Sequence, residues 1–244
     1  MSDFRGFQQS GQRAGTAMDL GLRAYMQKVY NYMAGGLALT GLAAVGTYSM
    51  AVGPNGLTPF GASLFSGPAS LLLMLATFGL VMFLSFGINR MSAATAQLSF
   101  WAYSILNGVM LSTLGMVYAH GSIARAFFCA AAAFAATSLY GYTTKRDLTS
   151  FGSFLFMGLF GLVIASLINL FFMSSAVNFA LSVIGVLVFT GLAAWDTQSI
   201  RNMYYYAGRD GEAIGRLAIM GALRLYLDFI NLFLSLLRLF GDRR

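Results

Sequence analysis

The chain has 244 residues, of which 58% are hydrophobic and 9% charged, and its formal charge is +7. Soluble domains carry roughly 25% charged residues, so a surface this poor in charge cannot all face water. The basic residues are scattered in pairs and singles rather than gathered into a stripe with aromatics, which argues against nucleic acid as a partner, and one histidine (His120) with one cysteine (Cys129) cannot build a disulfide or a typical zinc, haem or iron–sulfur site.

Residues 1–28 are polar and carry Asp3, Arg5, Arg13, Asp19, Arg23 and Lys28. They lack an apolar core followed by a small-residue cleavage site, so they read as an uncleaved, flexible cytoplasmic segment. Apolar blocks then follow at 29–51, 69–89, 98–119, 123–142, 151–172, 176–196 and 214–240. A span needs about 20 residues, which makes 29–240 an all-α domain of seven transmembrane helices, with 241–244 as a tail. The connection 52–68 holds Pro54, Pro59 and Pro68, so no span carries a proline kink. Gly35, Gly36, Gly41 and Gly46 in the first span, and Ala130–Ala133 in the fourth, are read as close-packing positions between helices. Phe and Leu of the fifth span are expected to face lipid. Cys129 reads as a small buried hydrophobe, and His120 falls in a short loop.

Orientation follows from the basic residues. With the N-terminus inside, the inner segments hold ten of them (Arg5, Arg13, Arg23, Lys28, Arg90, Lys145, Arg146, Arg201, Arg209 and Arg216). The outer loops hold none, with Arg125 just inside the fourth span and able to snorkel outward. The alternation breaks at Arg238, Arg243 and Arg244: either the last helix spans against the rule, or it is re-entrant.

Two aspartates stand apart from the charges at helix ends. Asp196 closes the sixth block in Ala194-Trp195-Asp196-Thr197-Gln198. Asp228 lies well inside the seventh, where an ionised carboxylate costs roughly 2.5–3.5 kcal/mol even on the lenient insertion scale. Arg224, one turn earlier, is its local partner, and Asn231 is placed to hydrogen-bond the same carboxyl. Arg90, at the cytoplasmic end of the second span, is either a topology anchor or a third charge for this site. A late entry of the seventh helix into lipid brings Asp228 toward the level of Asp196. Two carboxyls that close resist double ionisation, share a proton when acid, and can bind a hard cation such as Ca²⁺ when ionised.

The run Leu225-Tyr226-Leu227-Asp228-Phe229-Ile230-Asn231-Leu232-Phe233, continuing to Leu236-Leu237-Arg238, resembles the last-helix signature of the transmembrane Bax-inhibitor-motif family. Asp196-Thr197-Gln198 is similar to that family's other aspartate segment. The resemblance implies six helices packed around a central seventh and a pH-sensitive Ca²⁺ leak controlled by the aspartate pair, with Arg90 as latch. A further carboxylate present along the path in some relatives has no counterpart in 69–89. The short termini fit a bacterial, plasma-membrane member. The expected function is therefore a pH-regulated cation leak or sensor, not an enzyme, whose partners are the bilayer, Ca²⁺ and protons. The alternative is a non-conducting scaffold that binds other membrane proteins, with purely structural acid–arginine pairs.

Rival chemistries lack their residues. An intramembrane aspartyl protease needs Tyr-Asp and Gly-x-Gly-Asp, where this chain has Trp195-Asp196 and Tyr226-Leu227-Asp228. A retinal protein needs a lysine in the last span, and Lys28 and Lys145 both lie at the membrane surface. A membrane serine protease needs a histidine beside its serine, and His120 sits in an outer loop.

Overall fold

A computed structural model describes residues 3–206 and 210–243, with side chains from Leu20 onward except that of Asn89. Its elements are α1 (Asp3–Ala51), a two-residue hairpin of β1 (Val52–Gly53) and β2 (Gly56–Leu57), α2 (Pro59–Phe65), α3 (Pro68–Gly87), a 3₁₀ turn (Ile88–Arg90), α4 (Ala93–Leu111), α5 (Leu114–Val117), α6 (His120–Thr143), α7 (Thr149–Phe172), α8 (Ser175–Tyr206) and α9 (Gly211–Phe240). Arg209 and Arg244 lie outside the described residues.

Among the described residues, six segments are long and apolar enough to cross a membrane: Pro68–Gly87, Ala93–Val117, His120–Thr143, Thr149–Phe172, Ser175–Tyr206 and Gly211–Phe240. The expected first span, 29–51, lies within α1 but does not reach that apolarity. Its small and polar residues serve packing instead: a side chain at Gly36 would strike Phe100, and Thr40 presents its carbonyl to Gly108, where an added Cβ would come within 2.4 Å. Gly41 and Gly46 differ, because a Cβ at either meets nothing within 4 Å. Helical backbone continues back to Asp3, through most of the segment set apart as flexible. Among the described side chains, Leu22, Tyr25 and Met26 are buried ahead of residue 29.

The loop 52–68 is shaped by its turn residues. Gly56 sits at φ +115°, a conformation open to glycine, and closes the hairpin. Thr58 caps α2 by accepting from the Gly61 N–H, and Pro59 and Pro68 each begin a helix, where a missing N–H costs nothing. The spans are thus free of internal proline, as expected.

Helix α9 is the most buried: 67% of its most apolar stretch lies inside the protein, against 11% for α3 and 17% for α7. It packs on α8, α1, α6 and α4. Tyr226, at the centre of this core, is held by a complete hydrogen-bond chain. The Asn107 amide donates to its hydroxyl (2.8 Å), that hydroxyl lies 2.7 Å from Thr40 Oγ1, and Thr40 lies 2.9 Å from the Gly36 and Ser104 carbonyls. Helices α3 and α7 are peripheral, and α7 exposes Phe154, Phe160, Leu167 and Leu170, as its Phe and Leu content leads one to expect. Cys129 is a correction, being exposed on α6 rather than buried. In a membrane protein an apolar neighbourhood marks lipid as readily as core, so sequence apolarity does not fix which way a residue points.

The last helix is long and apolar enough to cross fully. It has 30 residues, about 45 Å of helix against a hydrocarbon core of about 30 Å, and it does not fold back. Its tail docks where α5 meets α6. Asp242 accepts from Arg125 (2.8 Å) and from Ser122 (3.0 Å), the Ala119 N–H donates to the Asp242 carbonyl, and Arg243 lies over the Tyr118 ring. An unbroken helix of this length favours a full span over the re-entrant alternative. With Cys129→Ser as background, cysteines at Lys145 and Arg243 are expected to react with a membrane-impermeant maleimide from opposite sides. Labelling of both from one side would restore the re-entrant reading.

Candidate functional site

The site forms where α8 and α9 run antiparallel in register. Gly185 faces Ser235 and Gly221 faces Ile200, which puts Asp196 level with the turn Arg224–Asp228. The sixth apolar block ended at 196, but α8 continues to Tyr206, so Asp196 is an interior residue of its helix rather than a terminal one. Polar side chains make that extension possible. Thr197 Oγ1 lies 2.8 Å from Ser138, which reaches Tyr30 (2.7 Å), and Thr197 donates to the Ala193 carbonyl. Gln198 accepts from the Leu148 N–H (2.8 Å) and donates to the Arg146 carbonyl (2.7 Å), while Arg201 donates to the Tyr142 carbonyl. Thr197 and Arg201 thus hold the end of α6, and Gln198 holds the α6–α7 connection. In that connection, Thr149 donates its O–H and then its N–H to Asp147, holding that exposed carboxyl below the usual carboxylate range.

Asp196 and Asp228 are both buried, and their carboxyls lie within hydrogen-bonding reach of each other. A bond between two carboxyls exists only when one of them carries a proton. Arg224 closes the site from the same helix as Asp228, yet its ion pair is with Asp196 across the helix interface, at 3.6 Å, and its charge also acts on Asp228. The expected one-turn pair between Arg224 and Asp228 is therefore replaced by a bridge between helices.

Two other candidates stand elsewhere. The Asn231 amide donates to the Leu227 carbonyl (2.8 Å), one turn back on its own helix, rather than to Asp228. Arg90 is exposed at the α3–α4 turn, flanked by Phe83, Phe86 and Met91, and among the described residues no carboxylate lies within ion-pairing distance of it. Among the described residues, the arginine that pairs with this site is Arg224.

One member of the site was missed. Among the described residues, the buried side-chain atoms without a hydrogen-bond partner are Tyr25 Oη, Asp196 Oδ1 and Asp228 Oδ2, and all three belong to residues on which the Arg224 charge acts. Asp196 Oδ1 holds the Arg224 ion pair in place of a hydrogen bond, so the three atoms form one electrostatic group around that guanidinium. Tyr25 lay in the segment set apart as flexible. The signal was nonetheless present: Leu22, Tyr25, Met26, Val29 and Met33 recur at helical spacing, and all are buried.

Residues 22–244 match the model of the family described as inhibitor of apoptosis-promoting Bax1. The chain belongs to the Bax inhibitor family. Among its relatives is an uncharacterised protein of Rickettsia prowazekii, 52% identical over 93% of this chain and 92% of that one. The inner membrane protein YbhL of Escherichia coli K12 is 46% identical, with 92% of this chain and 94% of that protein covered. An uncharacterised protein of Caulobacter vibrioides is 41% identical over the full length of both. This Bax inhibitor family chain is thus an all-α membrane protein, consistent with an inner-membrane relative and with its apolar helices.

Proposed function

We propose that this protein is a pH-regulated cation leak or sensor, with Ca²⁺ as the ion and the Asp196–Asp228 pair as the switch. The observation that carries the reading is a pair of facing carboxyls buried inside two helices apolar enough to cross a membrane, with, among the described residues, a single arginine ion-paired to one of the two acids. In acid the pair shares a proton, and the carboxyl–carboxyl bond ties α8 to α9. When both ionise they repel, the tie is lost, and the two carboxylates either hold Arg224 between them or exchange it for a cation. Ca²⁺ takes 6–8 oxygens, so two carboxylates leave most positions to water, carbonyls and the Tyr25 hydroxyl, and binding is weak enough for release. Nothing in this scheme calls for an enzymatic step or a resident cofactor.

In the same reading, α1 supplies a seventh span, α9 is the central helix, and the N-terminus lies in the cytoplasm, as the distribution of basic residues requires. The test is Ca²⁺ flux into proteoliposomes across pH. Wild-type flux is expected to rise as the pair loses its shared proton, and Asp228→Asn to flatten the profile. Equal flux with equal pH profiles would sink the mechanism and leave the scaffold reading.

A further inference from the structure

The switch leaves a second feature of the bundle unused. A cavity of about 470 Å³ lies beside α9, walled by α1 (Thr40, Gly41, Ala44), the α4–α5 junction, α6 and the inward face of α9 at Phe229, Ile230 and Phe233. This is within the range of about 300–1,000 Å³ typical of small-molecule sites. We infer that it is a binding site for one hydrocarbon chain of a membrane lipid, entering sideways between α1 and α6.

Apart from α1, the cavity is walled by segments apolar enough to cross a membrane, and with α1 read as the seventh span the solvent at its mouth is lipid. Its rim carries Val45 and Phe128, each 70% exposed or more. At one end α1 is tied to α6 by the Tyr30–Ser138 bond; further along, the cavity separates them. Gly41 explains how the gap is made: unlike Gly35 and Gly36, which receive Trp101 and Phe100, it faces open space.

Water is a poor occupant. Of the polar lining groups, Thr40 is engaged with Tyr226 and two carbonyls, Ser112 donates to the Val109 carbonyl at 2.6 Å, and Tyr48 and His120 meet edge to face at one end, so the stretch along Phe229, Ile230 and Phe233 is apolar. A buried water needs about 2–4 polar partners, and apolar cavities stay dry. An empty void of this size forfeits the contacts of its whole lining. A flexible hydrocarbon chain satisfies both conditions and is present at the entrance. It would rest on Phe229, the residue after Asp228, whose ring also meets Phe127 and Phe134 at 5.4 and 5.7 Å.

The test is photocrosslinking in proteoliposomes of the full chain, with phosphatidylglycerol bearing a diazirine midway along one acyl chain. Adducts are expected on Phe229, Ile230 or Phe233, which are shielded from bulk lipid, as well as on exposed Phe154 and Phe160 of α7. Filling the cavity with Gly41→Leu and Ala44→Phe should reduce the α9 adducts several-fold and leave those on α7 unchanged, which also reports correct insertion. Wild-type adducts confined to exposed faces, or α9 adducts that survive the filling, would overturn the inference. So would reaction of Ile230→Cys with a water-soluble maleimide, since that would show a wetted cavity. None of these readouts depends on ion flux, so the site stands or falls separately from the proposed leak.

Discussion

Replacing Arg224 by Gln is expected to be among the most damaging single substitutions in the bundle, and removing one acid from that background should repair it. Among the described residues, Arg224 is the one cation acting on both Asp196 and Asp228, and its guanidinium bridges α9 to α8. Removing one partner of a fully buried ion pair costs roughly 3–5 kcal/mol, because the other charge is left behind. The Arg224 side chain is 34% exposed and partly solvated, so the loss here is expected nearer to roughly 2 kcal/mol. The variant should unfold at lower temperature in detergent, with the deficit largest where both acids ionise. Adding Asp196→Asn or Asp228→Asn removes the repulsion and recovers most of it. Groups that act as a unit show coupling of about 0.5–3 kcal/mol in a double-mutant cycle, and this trio should fall in that range. Strictly additive losses would mean that Arg224 serves only as a helix-end charge.

What could be read from the chain, and what could not, divides along a physical line. Apolar length located every helix that meets the criterion for crossing, and the anomaly of an acid in lipid located Asp228. Apolar length failed at both ends of the argument. It stopped α8 at 196 because Thr197, Gln198 and Arg201 are polar, although each satisfies a partner across the helix interface and the helix runs on. It also set Tyr25 outside the domain, because Arg23 and Lys28 interrupt the block while the buried stripe beneath them keeps its helical period. The choice of Arg224 for Asp196 over its neighbour Asp228, and the placing of Asn231 on its own backbone, depend on how α8 and α9 face each other. Spacing along one helix shows which partners are within reach and says nothing of the competing partner on another. Arg90 illustrates the same limit, since its position beside the site rested on resemblance and it lies exposed on the α3–α4 turn.

Gln198 separates the architecture of the site from its charge chemistry. Its side chain holds the Leu148 N–H and the Arg146 carbonyl, fixing the α6–α7 connection against α8 two residues from Asp196. Gln198→Ala breaks both bonds. The Leu148 amide is buried, and an unsatisfied buried group costs about 1–3 kcal/mol, while the more exposed carbonyl can turn to water. A destabilisation of roughly 2 kcal/mol is expected, seen as a lower unfolding temperature and faster hydrogen exchange at residues 144–149. Because neither hydrogen bond involves a carboxyl, the loss should be the same at acid and neutral pH. Asp228→Asn should do the reverse, changing the pH profile more than the stability at its optimum. The contrast decides what the Asp-Thr-Gln segment is for. If Gln198→Ala also flattens the pH profile, the segment is one sensing unit whose geometry includes the loop. If it does not, the aspartate alone carries the sensing, and the two residues after it hold the helix in place.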